Sequence, residues 1–237
     1  MLQEVKFQDL GARGYRETWD YQENLLRNNT NIKAESRKTD VPAQLTPTSH
    51  HLLFVEHPPV YTLGKSGKES HVLISAAERE EKGIEYFHIN RGGDITFHGP
   101  GQLVGYPILD LEKFRTDIGW YLRSLEEVFI LTMAEYGLKG DRSPGETGVW
   151  LDPDLPGKER KICAMGIKCS RWVTMHGFAF NINTDLDYFT YIVPCGIENK
   201  QVTSLQQELG RVVDEAEVKE KVCRHFEDVF GCRLVTD

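Results

Sequence analysis

The chain has 237 residues, of which 40% are apolar, 27% charged and 10% aromatic. These proportions predict a single folded domain over residues 1–237 and exclude a disordered or fibrous chain. With 28 Lys plus Arg against 36 Asp plus Glu, the formal charge of -8 excludes the broad basic footprint of a general nucleic-acid binder.

The opening MLQEVKFQDLGARGY lacks the basic-then-apolar pattern of a secretory leader. No stretch approaches the roughly 20 apolar residues of a membrane span. A cytoplasmic location is therefore expected, with free thiols at Cys163, Cys169, Cys195, Cys223 and Cys232.

Glu4 to Leu10 reads as a short strand. Tyr15, Trp19, Gln22 and Leu26 then recur on one helical face. Arg27 to Ser49 turns polar and is expected to be an exposed surface loop. HHLLFVEH and VYTLG read as strands on either side of Pro58-Pro59. Ser75 and Glu78 form a capping box for a short helix ending near Gly83.

IEYFHINR, DITFHG and LVGYPILDL read as three more strands. Ile118, Leu122, Leu125, Phe129 and Met133 mark a long helix, with Gly137 at its end. Strands return at GVWLD, KICAMGI, CSRWV and HGFAFNI. A last helix starts at Asp214, where Glu217 suggests a capping box, and Val218, Val222, Phe226 and Val229 form its apolar stripe. Strands and helices mix without regular alternation. The expected class is α+β, a mostly antiparallel or mixed sheet flanked by helices.

RGGDITFHGPGQ, Arg91 to Gln102, holds four glycines and a proline in twelve residues. Glycine lets backbone approach a ligand closely. A hairpin needs only Gly92-Gly93, so the second glycine cluster beside His98 marks a ligand-contacting segment. Gly64-Lys65-Ser66 resembles the end of a phosphate-binding loop, but Pro59 stands where the first glycine is required. The histidines show no metal-ligand spacing. No metal and no cofactor are expected.

Lys161 opens an apolar run, and a lone lysine there can simply extend into solvent. It matters for chemistry only beside an acid. Cys195, in Val-Pro-Cys-Gly-Ile, sits in a loop pattern with Gly196 leaving the thiol uncrowded. That placement favours a reactive thiol, whereas Cys163 and Cys169 lie in strand patterns. An ordinary thiol is only slightly ionised near neutrality and needs a nearby cation or base. His98, His176 and Lys161 are the candidates.

HHLLFVEHPPVYTLGKSG, RGGDITFHGPGQLVGYPILDL, KICAMGIK…MHGFAFNIN, PCGI and Val202-Thr203-Ser204-Leu205 together resemble the lipoyl(octanoyl) transferase family, in that family's order. The resemblance implies a fold like the biotin and lipoate ligase catalytic domains. It implies transfer of an octanoyl or lipoyl group from acyl carrier protein to a lysine of a lipoyl-accepting domain. Such acceptors are the lipoyl domains of 2-oxoacid dehydrogenases and the glycine cleavage H-type protein.

By the same resemblance, Cys195 is the acyl-thioester nucleophile and Lys161 its partner. Arg91, Gly92, Gly93, Asp94, Ile95, Thr96, Phe97 and His98 are substrate contacts, as are Ala164, Met165, Gly166, Gly177, Phe178 and Ala179. His176 is a supporting residue. Neither a nucleic acid nor a membrane is an expected partner. The rival readings are an ATP-dependent lipoate or biotin ligase of the same fold, a non-catalytic carrier-protein binding module and a thioesterase.

Overall fold

The computed structural model describes residues 2–38, 47–193 and 201–236. Among them the strands form two sheets. The larger has the order β10-β8-β9-β6-β2-β1-β11, with β7 also paired to β8. Its members are β1 (Gln3–Ala12), β2 (His50–Glu56), β6 (Gln102–Ile108), β7 (Val149–Leu151), β8 (Arg160–Ser170), β9 (Val173–Asn181), β10 (Gln201–Val202) and β11 (Cys232–Val235). The smaller sheet orders β4 (Glu85–His88), β3 (Val60–Leu63) and β5 (Ile95–His98).

The centre of the large sheet is antiparallel: β2 with β6, β6 with β9, β9 with β8. Its flanks are parallel, β1 with β2 and β11 on one side, β8 with β10 on the other. The architecture is the mixed α+β sheet that the sequence predicts. β6 and β9 are buried along their whole length because both faces of the sheet are covered.

One face packs against α3 (Ile118–Ala134) and α5 (Glu215–Phe230). Phe129 meets Phe178 and Phe180 at ring-centroid distances of 4.5 and 4.9 Å. The sequence stripe of the last helix is buried at Val218, Val222 and Phe226, while Val229 is only partly covered and Phe230 takes the buried place instead. Asp214 caps this helix through Ala216 N at 2.9 Å. Glu217 does not complete a box; it pairs with Lys221 at 2.6 Å. The box at α2 (Ala76–Glu81) is complete, with Ser75 and Glu78 satisfying each other's backbone N–H.

The other face packs against α1 (Tyr15–Ser36), and here the expected exposed loop Arg27–Ser49 is corrected. Residues 27–36 are helical, and the buried face of α1 continues through Asn29 and Lys33. The sequence hides this because the second half of the stripe is polar. Each polar group there has a partner, so its burial is tolerated. Asn29 donates to Ser49 O at 2.7 Å and accepts from Ser49 N at 3.0 Å. Lys33 pairs with buried Asp110 and with Glu112 at 3.0 Å. Residues 39–46 of that stretch lie outside the described residues.

KICAMGI continues through Cys169 and Ser170 as one strand, and the expected strand CSRWV is instead the turn between β8 and β9. β8 turns into β9 at Arg171 and Trp172, both at positive φ (51° and 65°). Two consecutive left-handed residues make a two-residue hairpin turn that matches the right-handed twist of the strands, here without glycine.

Candidate active site

A cleft with an empty volume of about 540 Å³ lies between the two sheets. Its wall is residues 91, 93–96 and 98 of the glycine-rich segment, Lys161 and 164–166 of β8, 176–179 of β9, and Tyr15 and Tyr106. Segments more than sixty residues apart in sequence thus meet, as expected from the motifs. Gly92 lines an adjoining groove that shares Lys161, Met165 and Gly166 with the cleft. Phe97 is not on the wall. It occupies the opposite face of β5 and stacks on Tyr188 at 4.6 Å.

Lys161 reaches the cleft because of an irregularity in β8. Val149 pairs with Cys163, but the next residue, Trp150, pairs with Lys161. One step on β7 matches two on β8, so Ile162 is an extra, bulged residue. Consecutive Ile162 and Cys163 consequently both enter the α3/α5 core. Lys161 and Ala164 both face the cleft. Without the bulge, strict alternation would put Lys161 on the other side from Ala164. Lys161 is 9% exposed, and its Nζ lies 4.5 Å from the centroid of the Trp150 ring.

The glycine-rich segment crosses β8 at Gly166. A Cβ there would sit 2.8 Å from Gly92 O and 3.0 Å from Arg91 Cδ, so only glycine permits the crossing. Gly92 N donates to Ile167 O at 2.9 Å. Buried Arg91 donates to Thr62 O at 2.7 Å and to Thr62 Oγ at 3.1 Å, which ties the segment to the small sheet.

Both predicted histidines are buried and neutral. Burial pulls His98 down to about 3, helped by the neighbouring His57. Burial also pulls His176 down to about 3, helped by the Arg91 charge. Their hydrogen bonds fix opposite tautomers. Asn181 donates to Thr203 O, which leaves its oxygen to accept from Gln102 at 2.9 Å. The Gln102 oxygen then accepts from His98 Nδ1 at 2.9 Å. His98 so carries its proton on Nδ1 and a lone pair on Nε2. Asn90 donates to Glu23, and its oxygen accepts from His176 Nε2 at 2.9 Å. His176 therefore presents its lone pair at Nδ1. Its backbone sits at φ 60°, rare for a non-glycine residue inside a strand.

Burial disfavours the thiolate at each of the four cysteines among the described residues. Burial raises Cys163 well above an ordinary thiol, pushes Cys223 and Cys232 up to about 12, and raises Cys169. Cys195 lies outside the described residues.

Two wall residues escape a motif reading. Tyr15 looks like any apolar position on an amphipathic helix, and Tyr106 like a strand residue between Gly105 and Pro107. Only the packing of α1 across the sheet brings Tyr15 over His98, with near-parallel rings 6.0 Å apart. Tyr106 donates to His57 Nε2 at 2.8 Å, since His57 Nδ1 donates to Arg13 O.

This sheet and cleft have the fold of lipoate ligase catalytic domains. The bi-partite lipoate protein ligase of Thermoplasma acidophilum superposes with a TM-score of 0.69 at 17% identity, over 99% of this chain and 87% of that one. The sequence matches the lipoyl protein ligase A/B catalytic domain over residues 14–227, and the chain belongs to that family. Within it, a protein named octanoyltransferase in Christiangramia forsetii is 56% identical over 237 residues, 99% of each chain. Another of that name in Flavobacterium psychrophilum is 57% identical over 236 residues, 99% of this chain and 100% of that one.

Proposed function

We propose that this protein is an acyltransferase that moves an octanoyl group from octanoyl-acyl carrier protein to a lysine of a lipoyl-accepting domain, in lipoate biosynthesis. The observation that carries the reading is Lys161, re-aimed by a bulge into a cleft whose wall is built from the glycine-rich, Ala-Met-Gly and Gly-Phe-Ala segments. The names of relatives at 56–57% identity support the same chemistry.

The reaction is two acyl exchanges through Cys195. The Cys195 thiolate attacks the carrier thioester carbonyl, the carbon–sulfur bond to the carrier breaks, and the leaving thiolate takes a proton from the Lys161 ammonium. The acceptor amine then attacks the acyl-enzyme. Its proton passes to neutral Lys161, the amide forms and Cys195 leaves as thiolate. This is covalent catalysis by an activated thiol. A cation beside the sulfur favours its ionised form. The net change, thioester and amine to amide and thiol, is downhill and requires no nucleotide.

The octanoyl chain lies along Ala164, Gly177 and Ala179, where small side chains leave room. Each buried methylene contributes about 0.8 kcal/mol. Backbone N–H groups near Gly166 or Gly177 are the candidates for holding the oxyanion. Acceptors of this class are the lipoyl domains of 2-oxoacid dehydrogenases and the glycine cleavage H-type protein.

The test is incubation with octanoyl-carrier protein followed by peptide mapping. An octanoyl adduct on the Cys195 peptide, absent in Cys195→Ser, is expected. An adduct that persists in Cys195→Ser removes the thioester mechanism. Transfer that requires ATP and free octanoate would instead identify a ligase.

A further inference from the structure

We propose that Trp150 is the positioning residue of the catalytic amine: its indole face holds the Lys161 ammonium at the cleft wall. The inference rests on the reading of Lys161 given above and names the group that serves it.

The geometry is direct. Trp150 and Lys161 are cross-strand partners at the bulge, and Nζ lies 4.5 Å from the ring centroid. The ring is 2% exposed, so the ammonium meets its π face in a desolvated site, where such contacts are strongest. Trp150 is fixed from the opposite side. It exchanges both backbone hydrogen bonds with Asp141, at 2.8 and 2.9 Å. Gly148, just before the strand that carries it, donates its N–H to the fully buried Glu126 at 3.0 Å. Glu126 is itself held by Arg123 at 2.7 Å and Arg142 at 3.0 Å. A bolt from α3 therefore locates the ring, and the ring locates the amine.

The chemistry suits an amine that must give up a proton and take one back. A ring face stabilises positive charge through its quadrupole without accepting a proton. Several charged and titratable groups among the described residues lie on the surrounding elements. Glu126 stands behind β7, and Cys163 faces the core side of β8. Glu146, Asp94 and Arg91 share the cleft and groove walls. Arg160 and Glu208 pair with each other at 2.6 Å beside β10.

The test is the pH dependence of kcat/KM for octanoyl transfer. Tryptophan at position 150 is replaced site-specifically by its mono- to tetrafluorinated analogues, which keep shape and burial but weaken the ring face. The alkaline limb, set by loss of the Lys161 proton, is expected to move to lower pH stepwise with fluorination. The full series should shift it by about one pH unit. Trp150→Phe, which keeps a smaller ring face, should shift it less, and Trp150→Leu by the full amount. An alkaline limb that stays fixed across the fluorinated series while Lys161→Ala abolishes transfer overturns the role of Trp150 and leaves that of Lys161 standing. Wild-type transfer by Lys161→Ala overturns both.

Discussion

The two faces of the central sheet differ in kind. Against α3 and α5 the packing is aromatic and aliphatic, with Phe129, Phe178, Phe180, Phe226 and Phe230 in one buried cluster. Against α1 and the small sheet it is rich in polar groups: His57, His98, His176, Arg91, Gln102, Asn181, Lys33 and Asp110 are all buried. The first face supplies stability by removing apolar area from water. The second places hydrogen-bonded, strained and neutral titratable groups around a cleft. Burying polar groups costs stability unless each is paired. The division teaches that the apolar face supports a functional face that is costly to assemble.

Substitutions should separate the faces. Lys161→Ala should cut transfer by about 10²–10⁴-fold with little change in unfolding free energy. Phe129→Ala should do the reverse. It should cost about 3–5 kcal/mol in a urea titration, with transfer per folded molecule near wild type. Loss of stability in the first or of specific activity in the second would erase the distinction. Lys33→Met leaves Asp110 buried beside Thr48 without its ammonium. A cost of about 3–5 kcal/mol is expected, read by the same titration.

Smaller effects sharpen the functional side. Ala179→Leu should fill the slot and displace about two methylenes, so the preference for octanoyl over butyryl donors falls roughly tenfold in kcat/KM. An unchanged preference would place the chain elsewhere.

Acid should act through the buried histidines. His50 and His57 are pulled down to about 4, and His98 and His176 to about 3, in each case chiefly by burial. The unfolded chain binds these protons near pH 6.5 and the folded chain does not. Their contribution to stability is therefore complete above about pH 6.5 and declines as pH falls toward 4. Each histidine contributes up to about 1.4 kcal/mol per pH unit. His98→Gln should flatten this decline in a urea titration run from pH 7 to 4.5.

The legible parts of the molecule were those where pattern and packing agree. The Phe129 and Phe226 helices, the Ser75 cap and the strands around His50 and Gln102 follow from apolar periodicity and turn residues. The helical half of Arg27–Ser49 was not legible, because Asn29 and Lys33 are buried through partners 20 and 77 residues away. Nor was the Arg171–Trp172 turn, which adopts positive φ without glycine. At the site, the motifs identified nearly every cleft residue by type. They could not show that Ile162 is bulged, that Phe97 faces away or that Tyr15 closes the cleft, since these depend on register and on a helix crossing the sheet.

The central claim is that the Lys161 amine makes the Cys195 thiol acidic, and thiol alkylation tests it most directly. Iodoacetamide at pH 6.5, with peptide mapping over time, ranks all five cysteines in wild type and in Lys161→Ala. Cys195 should be alkylated first in the wild type, ahead of the four burial-raised thiols, and should lose that lead in the variant. Equal Cys195 rates in the two proteins would contradict the account.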